Sequence, residues 1–223
     1  MTIVTTRLLA ACATILGLLL VAGCNIIGPA AYIIEGQPEK PAAFELDPTL
    51  DTVVFIDDNR PVMSPTSLRL VVARDVSTEL QSRNLVGVAL DPRPLLTIAR
   101  QESISDKMSI QDLAASVNAN QVIYVRMENF QLTVNNRRTP TAVCEVRVLN
   151  MIEGRRVFPD PATGSSGYQV VAQMRDVSSG NYESRVGQGR LKEALAKQLA
   201  VEIARTFYEH VPDEIGTRLD GPR

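Results

Sequence analysis

The chain contains no tryptophan, one histidine, and only five tyrosines and five phenylalanines in 223 residues. Sites that stack sugars or nucleobases lean on aromatic faces, so both ligand classes are demoted. An excess of one charge is missing too. Lys and Arg number 23 against 25 Asp and Glu, a net charge of −2 that leaves no electrostatic footprint for nucleic acid. No zinc-type Cys/His spacing and no phosphate-cradling glycine motif after a strand is present. Gly164-Ser165-Ser166-Gly167 lacks the strand–turn–helix setting of a nucleophile elbow. The lone His210 confines any Ser–His or Cys–His pair to one position. A histidine at a helix end is expected to complement the helix dipole or to sit on the solvated surface instead. These absences leave no catalytic residue to nominate outright and no metal site beyond a cluster weighed below.

What is present begins at the N-terminus. Arg7 is followed by the apolar stretch Leu8–Val21 and then Ala22-Gly23-Cys24. A basic start, a short apolar run and small residues before a cleavage point make a secretory signal. The run is shorter than the roughly 20 residues of a spanning helix. Val21-Ala22-Gly23-Cys24 resembles the lipobox of bacterial lipoproteins. That resemblance implies cleavage between Gly23 and Cys24, a thioether-linked diacylglycerol on Cys24, and an acylated N-terminus. Acyl chains contribute about 0.8 kcal/mol per buried CH₂, and stable anchoring takes two chains or more. Asn25, rather than Asp, follows the cysteine. By similarity to enterobacterial sorting this favours the outer membrane, with the domain facing the periplasm. No cofactor is expected apart from the covalent lipid on Cys24.

Of the three cysteines, Cys12 lies in the signal and Cys24 is the lipid site, so only Cys144 remains and no internal disulfide can form. Cys144 alternates with Glu145 and Arg147, which predicts a small hydrophobe on the core face of a strand.

Residues 1–23 are therefore read as signal peptide and 24–50 as lipidated N-terminus and tether, since Gly28-Pro29, Gly36, Pro38, Pro41 and Pro48 break regular structure. Ala30–Ile34 is too apolar for a pure linker; docking on the domain, docking on the bilayer and collapse beside the lipid stay open. Residues 51–211 are read as one α/β domain, and 212–223 as a disordered tail. Within the domain, strands are expected at 52–56, 85–90, 122–134, 142–151, 155–158 and 168–175. Ser64-Pro65 is expected to start an amphipathic helix running to Arg83, on the stripe Leu68, Val72, Val76 and Leu80. A short helix is expected over 95–100. Another follows Ser109, with Asp112 completing a capping-box-like pair, and ends at Asn118-Ala119-Asn120. The closing helix carries Leu191, Leu195, Leu199, Ile203 and Phe207 at i+4 spacing. The expected fold class is α/β (α+β): a mixed sheet of about five strands, β-α-β-α-β then an antiparallel meander, with a long C-terminal helix packed on the sheet.

The stretch Ile110–Val125 runs from a short helix through Asn118-Ala119-Asn120 into an apolar strand, and Asn150-Met151-Ile152-Glu153-Gly154 marks a hairpin. With the element order and the lipobox, this is similar to the curli-secretion (CsgG-like) lipoproteins, the N-terminal domain of TolB, and the lipoprotein activators of penicillin-binding proteins. The resemblance implies non-enzymatic work in envelope assembly, secretion or regulation of a partner, and it carries over Cys24 alone as a functional residue. One branch of that group forms pores from extended hairpins. Strand alternation here places Arg126 and Glu128 on the face of Tyr124 and Phe130. A charge on a lipid-facing strand at mid-bilayer costs about 2–4 kcal/mol, which disfavours a pore.

Two weaker sites remain. Asp57-Asp58-Asn59 ends the first strand, where open α/β sheets bind ligands and where oxygens could hold a hard cation, but a solvated strand-ending turn is the expected reading and no metal site is assigned. Arg137-Arg138 and Arg155-Arg156 suggest anion sites, but the strand between them separates them by roughly 30 Å. The expected partners are the membrane, through the lipid, and an envelope protein, with self-association a further option and nucleic acid not expected. The rival readings are a small hydrolase using Asp57 or Asp58 and an accessory lipoprotein of an envelope transporter.

Overall fold

A computed structural model describes residues 39–58, 60–101, 108–134, 137–175 and 177–212. By contacts the chain divides into Met1–Lys40 with Val211–Asp213, and Pro41–His210 with Glu214–Arg223. The first unit lies almost wholly outside the described residues, as do the lipobox with Cys24, Ala30–Ile34, Asn59 and residues 213–223. The second unit carries the fold.

Its strands are β1 (Thr52–Asp57), β2 (Gln121–Gln131), β3 (Thr141–Asn150), β4 (Arg155–Phe158) and β5 (Tyr168–Gln173). Its helices, among the described residues, are α1 (Leu68–Ser82), α2 (Arg93–Gln101), α3 (Ile110–Ser116) and α4 (Arg185–Arg205). The expected mixed sheet of five strands is present. β1 pairs parallel with β2, and β2 pairs antiparallel with β3. The far edge of β3 is shared: β4 takes Val148–Asn150 and β5 takes Thr141–Val146, both antiparallel. The three helices α1–α3 connect β1 to β2, because a parallel pair needs a crossover longer than a turn.

Burial follows from which strands are covered on both faces. β1 is buried along nearly its whole length, as its unbroken Val53-Val54-Phe55-Ile56 run requires. Val54 and Ile56 join one core with α1, α4 and the inner face of β3; Val53 and Phe55 join a second with α2 and α3. In the first core α4 contributes Leu195, Leu199 and Ile203, with Ala196, Ala200 and Ala204 beside them, and Leu191 extends the buried stripe toward the helix start. Phe207 is buried just past the helix end.

Helix ends are set by local chemistry. Ser109 Oγ accepts from Asp112 N–H at 3.1 Å, and its hydroxyl donates to Asp112 Oδ2 at 2.7 Å, so the short aspartate reaches the serine side chain. Ser184 Oγ accepts from Gly187 N–H at 3.0 Å and starts α4. α1 and α3 both end on an asparagine in the left-handed region, Asn84 and Asn118, each at φ 56°. The next amide bonds back across the turn in both cases, Leu85 N to Leu80 O and Ala119 N to Ala114 O, each at 3.0 Å.

Four expectations change. The strand expected at 85–90 is a single parallel bridge between Thr52 and Ala89. Gly87 donates to Leu50 O, and a Cβ there would sit 3.0 Å from Thr49 O, so this segment is pressed against backbone before β1. The Ala89 amide goes to the Gln81 side chain instead of a strand neighbour. The helix expected to start at Ser64-Pro65 starts at Leu68, and Ser67 at its N-cap makes no side-chain cap. β2 ends at Gln131, short of Val134, and its register with β3 shifts between Met127 and Asn129. That bulge turns Phe130 into the first core, away from Tyr124, which lies in the second. Finally, residues 43–50, assigned to the tether, pack on the domain. Leu46 and Leu50 are buried, Phe44 stacks on Phe158 at 5.0 Å, and Ala43 N–H donates to Thr206 O at 2.8 Å. The apolar Phe44, Leu46 and Leu50 outweigh the neighbouring prolines.

The buried stripe of α4 makes a direct prediction. Leu199→Ala should destabilise the protein by about 2–5 kcal/mol in urea unfolding. Lys197→Ala, which loses only an exposed Glu193 pair at 2.9 Å, should leave the midpoint nearly unchanged. A stripe that serves instead as an exposed docking face would leave Leu199→Ala at the wild-type midpoint.

Candidate functional site

Among the described residues, helices cover only half of the second face of the sheet. α2 and α3 lie over β1 and the start of β2, where Leu95, Leu96, Leu113 and Ala114 meet Val53, Phe55, Val122 and Tyr124. Beyond them the outward positions turn polar. Strand register lines up one row across four strands: Asp57 opposite Arg126, Arg126 opposite Glu145, and Glu145 opposite Gln169. The next row sets Tyr124 opposite Arg147.

Several of these side chains pair, while Arg147 Nε is buried with no hydrogen-bond partner among the described residues. Arg126 reaches Glu145 Oε2 at 2.6 Å and Glu128 at 3.8 Å, and Arg147 reaches the same Glu145 oxygen at 3.4 Å. Ser166 donates to the other oxygen, Glu145 Oε1, at 3.0 Å. The loop before β5 makes that bond possible. A Cβ at Gly167 would lie 2.8 Å from Glu145 Cβ, so only glycine lets the loop close down. Tyr124 donates its hydroxyl to Asp57, and Arg147 stands 5.7 Å from the Tyr124 ring centre. Burial pushes the Glu145 carboxyl up, but the Ser166 hydrogen bond and the Arg126 and Arg147 charges outweigh it and hold the group below its usual range. Burial, the hydrogen bond to Asp57 and the Asp57 charge together push the Tyr124 hydroxyl up, so it stays protonated and donates.

The carboxylates nominated from sequence part company. Successive strand residues point to opposite faces. Asp57 is held by Tyr124, whereas Asp58 is buried, its Oδ1 accepting from Val62 N–H at 2.8 Å and its Oδ2 from Met63 N–H at 3.0 Å. Asp58 therefore shapes the turn after β1. Among the described residues no group of three His, Cys, Asp or Glu is arranged to hold a metal ion. His210 sets Nδ1 against Tyr208 O at 3.1 Å. Cys144 is fully buried in the first core, and burial pushes its thiol up. The arginine pairs flank opposite ends of β3, with Arg155 opposite Asn150. Arg138 lies over the Tyr182 ring, Arg155 pairs with Glu153 at 2.6 Å, and Arg156 donates to Ser166 O. Sequence reading nominated Asp57 and missed the rest of its row, Arg126, Glu145 and Gln169. Their alternation was visible in each strand; which strands pair, and in what register, was not.

No described helix is long and apolar enough to cross a membrane. No family model and no curated protein matches the chain. Solved structures similar to it include a PelC dodecamer from Paraburkholderia phytofirmans, at 12% identity over 76% of this chain and 91% of that one, with a TM-score of 0.40. Lipoprotein GNA1162 from Neisseria meningitidis is similar at 11% identity, covering 67% and 96%, TM-score 0.37. The hypothetical protein CT253 from Chlamydia trachomatis is similar at 14% identity, covering 69% and 98%, TM-score 0.38. None of these three is named as a curli-secretion lipoprotein or TolB, and likeness at these scores bears on neither activity nor assembly.

The charge row predicts an acid signature. Because the folded Glu145 carboxyl lies below its unfolded value near 4.5, its contribution is present above that pH and lost as pH falls through the folded value. Glu145→Gln should therefore destabilise the protein at pH 7, and the gap to wild type in urea midpoint should close below about pH 4.5. A gap independent of pH would contradict the charge-pairing account.

Proposed function

We propose that this chain is a lipid-anchored bacterial envelope protein whose work is binding rather than catalysis. The lipobox Val21-Ala22-Gly23-Cys24 supplies the anchor and the half-open sheet face supplies the surface. The observation that carries the reading is the row Asp57, Arg126, Glu145 and Gln169, aligned by strand register, in which Arg126 pairs with Glu145 and Asp57 accepts from the Tyr124 hydroxyl. Such a strip presents fixed hydrogen-bonding geometry to a partner. A hydrolase built on Asp57 or Asp58 is the rival. It is disfavoured because each carboxylate already serves a structural partner, and the two diverge from the strand end. In this reading the mechanism is positional: lipid on Cys24 holds the domain within tether reach of the outer membrane, on its periplasmic side. The envelope process it would serve is assembly, secretion or regulation of a partner.

One experiment tests anchor and surface together. In bacterial cells, Cys24→Ser should abolish labelling by radioactive palmitate and release the protein from the membrane fraction. A photocrosslinker placed at Glu128, exposed beside the charge row, should give an envelope adduct that weakens in the Cys24→Ser background. Continued labelling of the variant overturns the anchor. An adduct of equal strength with and without the anchor overturns the positional mechanism.

A further inference from the structure

Each outer strand of the sheet meets its free edge differently. β1 is bridged by Ala89 at Thr52. β4 is four residues long and carries Arg155 and Arg156. β5 pairs with β3 along one edge, without a bulge, and no other strand among the described residues pairs with it. Its six residues, Tyr168-Gln169-Val170-Val171-Ala172-Gln173, contain no charge and no proline. Edge strands are ordinarily blunted by charge, proline, a bulge or extreme shortness, because an open edge is a template for another strand. β5 has none of these devices.

Its pattern is also symmetric. Gln169, Val171 and Gln173 are exposed, while Val170 and Ala172 are buried towards the core shared with α4. Read from either end, the segment is glutamine, buried apolar residue, exposed valine, buried apolar residue, glutamine. Val171 is 52% exposed, at the centre. An antiparallel pair of such strands related by a two-fold axis at Val171 sets valine against valine and Gln169 against the partner's Gln173. A glutamine amide both donates and accepts, so the facing pairs complement each other, and no like charges meet. A foreign strand would impose no such symmetry on β5; a second copy of the same strand does.

We propose that β5 is a homotypic interface, through which two copies of this chain join edge to edge, antiparallel and centred on Val171, into one continuous sheet. This goes beyond the anchored-module reading and does not require Cys24 to be acylated. The pairing engages Gln169 at the seam and leaves Asp57, Arg126 and Glu145 free on the same sheet face, so a dimer would present two such rows meeting at the interface.

The register is testable by disulfide trapping in the full chain. Directly opposed Cβ atoms of antiparallel strands lie about 4.5–5.5 Å apart, close enough for a disulfide after small adjustment. Val171→Cys, under mild copper–phenanthroline oxidation in membranes or lysate, should give a dimer band several-fold stronger than the unsubstituted chain. Gln169→Cys and Gln173→Cys should each stay at the unsubstituted level alone and cross-link when mixed. Adding Val171→Lys to both members of that mixture should abolish the mixed dimer, while Cys144 stays unreactive as a check that the fold is intact. The proposal is overturned if Val171→Cys gives no dimer above background, if Gln169→Cys links to itself as readily as to Gln173→Cys, if Val171→Lys leaves the mixed dimer unchanged, or if the Val171→Cys adduct has a mass other than twice the chain.

Discussion

β3 is the strand on which the rest of the domain depends. It has a hydrogen-bonded neighbour on both edges over nearly its whole length, β2 on one side and then β5 and β4 in turn on the other. Its inward residues Ala142, Cys144, Val146 and Val148 are fully buried. α4 and α1 lie on that side of the sheet, and the leucine stripe of α4 packs in one core with α1, β5 and this unbroken floor. An alternating strand can bury one side completely and leave the other polar, and the outward residues Glu145 and Arg147 show the second half of that rule.

The same alternation creates the surface to which function is assigned. Because Glu145 sits between β2 and β5, it meets Arg126 on one neighbour and stands opposite Gln169 on the other, while the loop through Gly167 brings Ser166 onto it. Pairing keeps these charges from costing what isolated, partly buried ions would cost. The strip is therefore held by its own hydrogen bonds and ion pair. Its neighbour β5 contributes an uncharged edge to the same face, so the polar row and the open edge are parts of one surface.

Much of this was legible in the residues. The α4 stripe, the Ser109–Asp112 cap, the strand containing Cys144 and the Glu153-Gly154 turn all follow from periodicity and local chemistry, which act within a few residues. What failed was non-local. The apolar run Leu85–Leu90 reads as a strand, yet its edge is consumed by the Thr49–Leu50 backbone and by Gln81 from α1. Phe130 reads as a face-mate of Tyr124, but a bulge set by pairing with β3 reverses it. Phe44 and Leu46 lie among prolines that suggest a tether, and they pack on the first core, Phe44 against Phe158. The row Asp57–Arg126–Glu145 needed a register, and a single strand cannot reveal its neighbour's register.

The measurement that bears most directly on this account is the reactivity of Cys144, the one thiol on the inner face of β3. In the folded chain its modification by an aqueous thiol reagent, followed at the Cys144 peptide by mass spectrometry, should be slow. The rate should rise with urea only as the whole domain unfolds, since the thiol is fully buried and burial disfavours its thiolate. Modification as fast in buffer as in denaturant would contradict the central place of β3 and the core built on it.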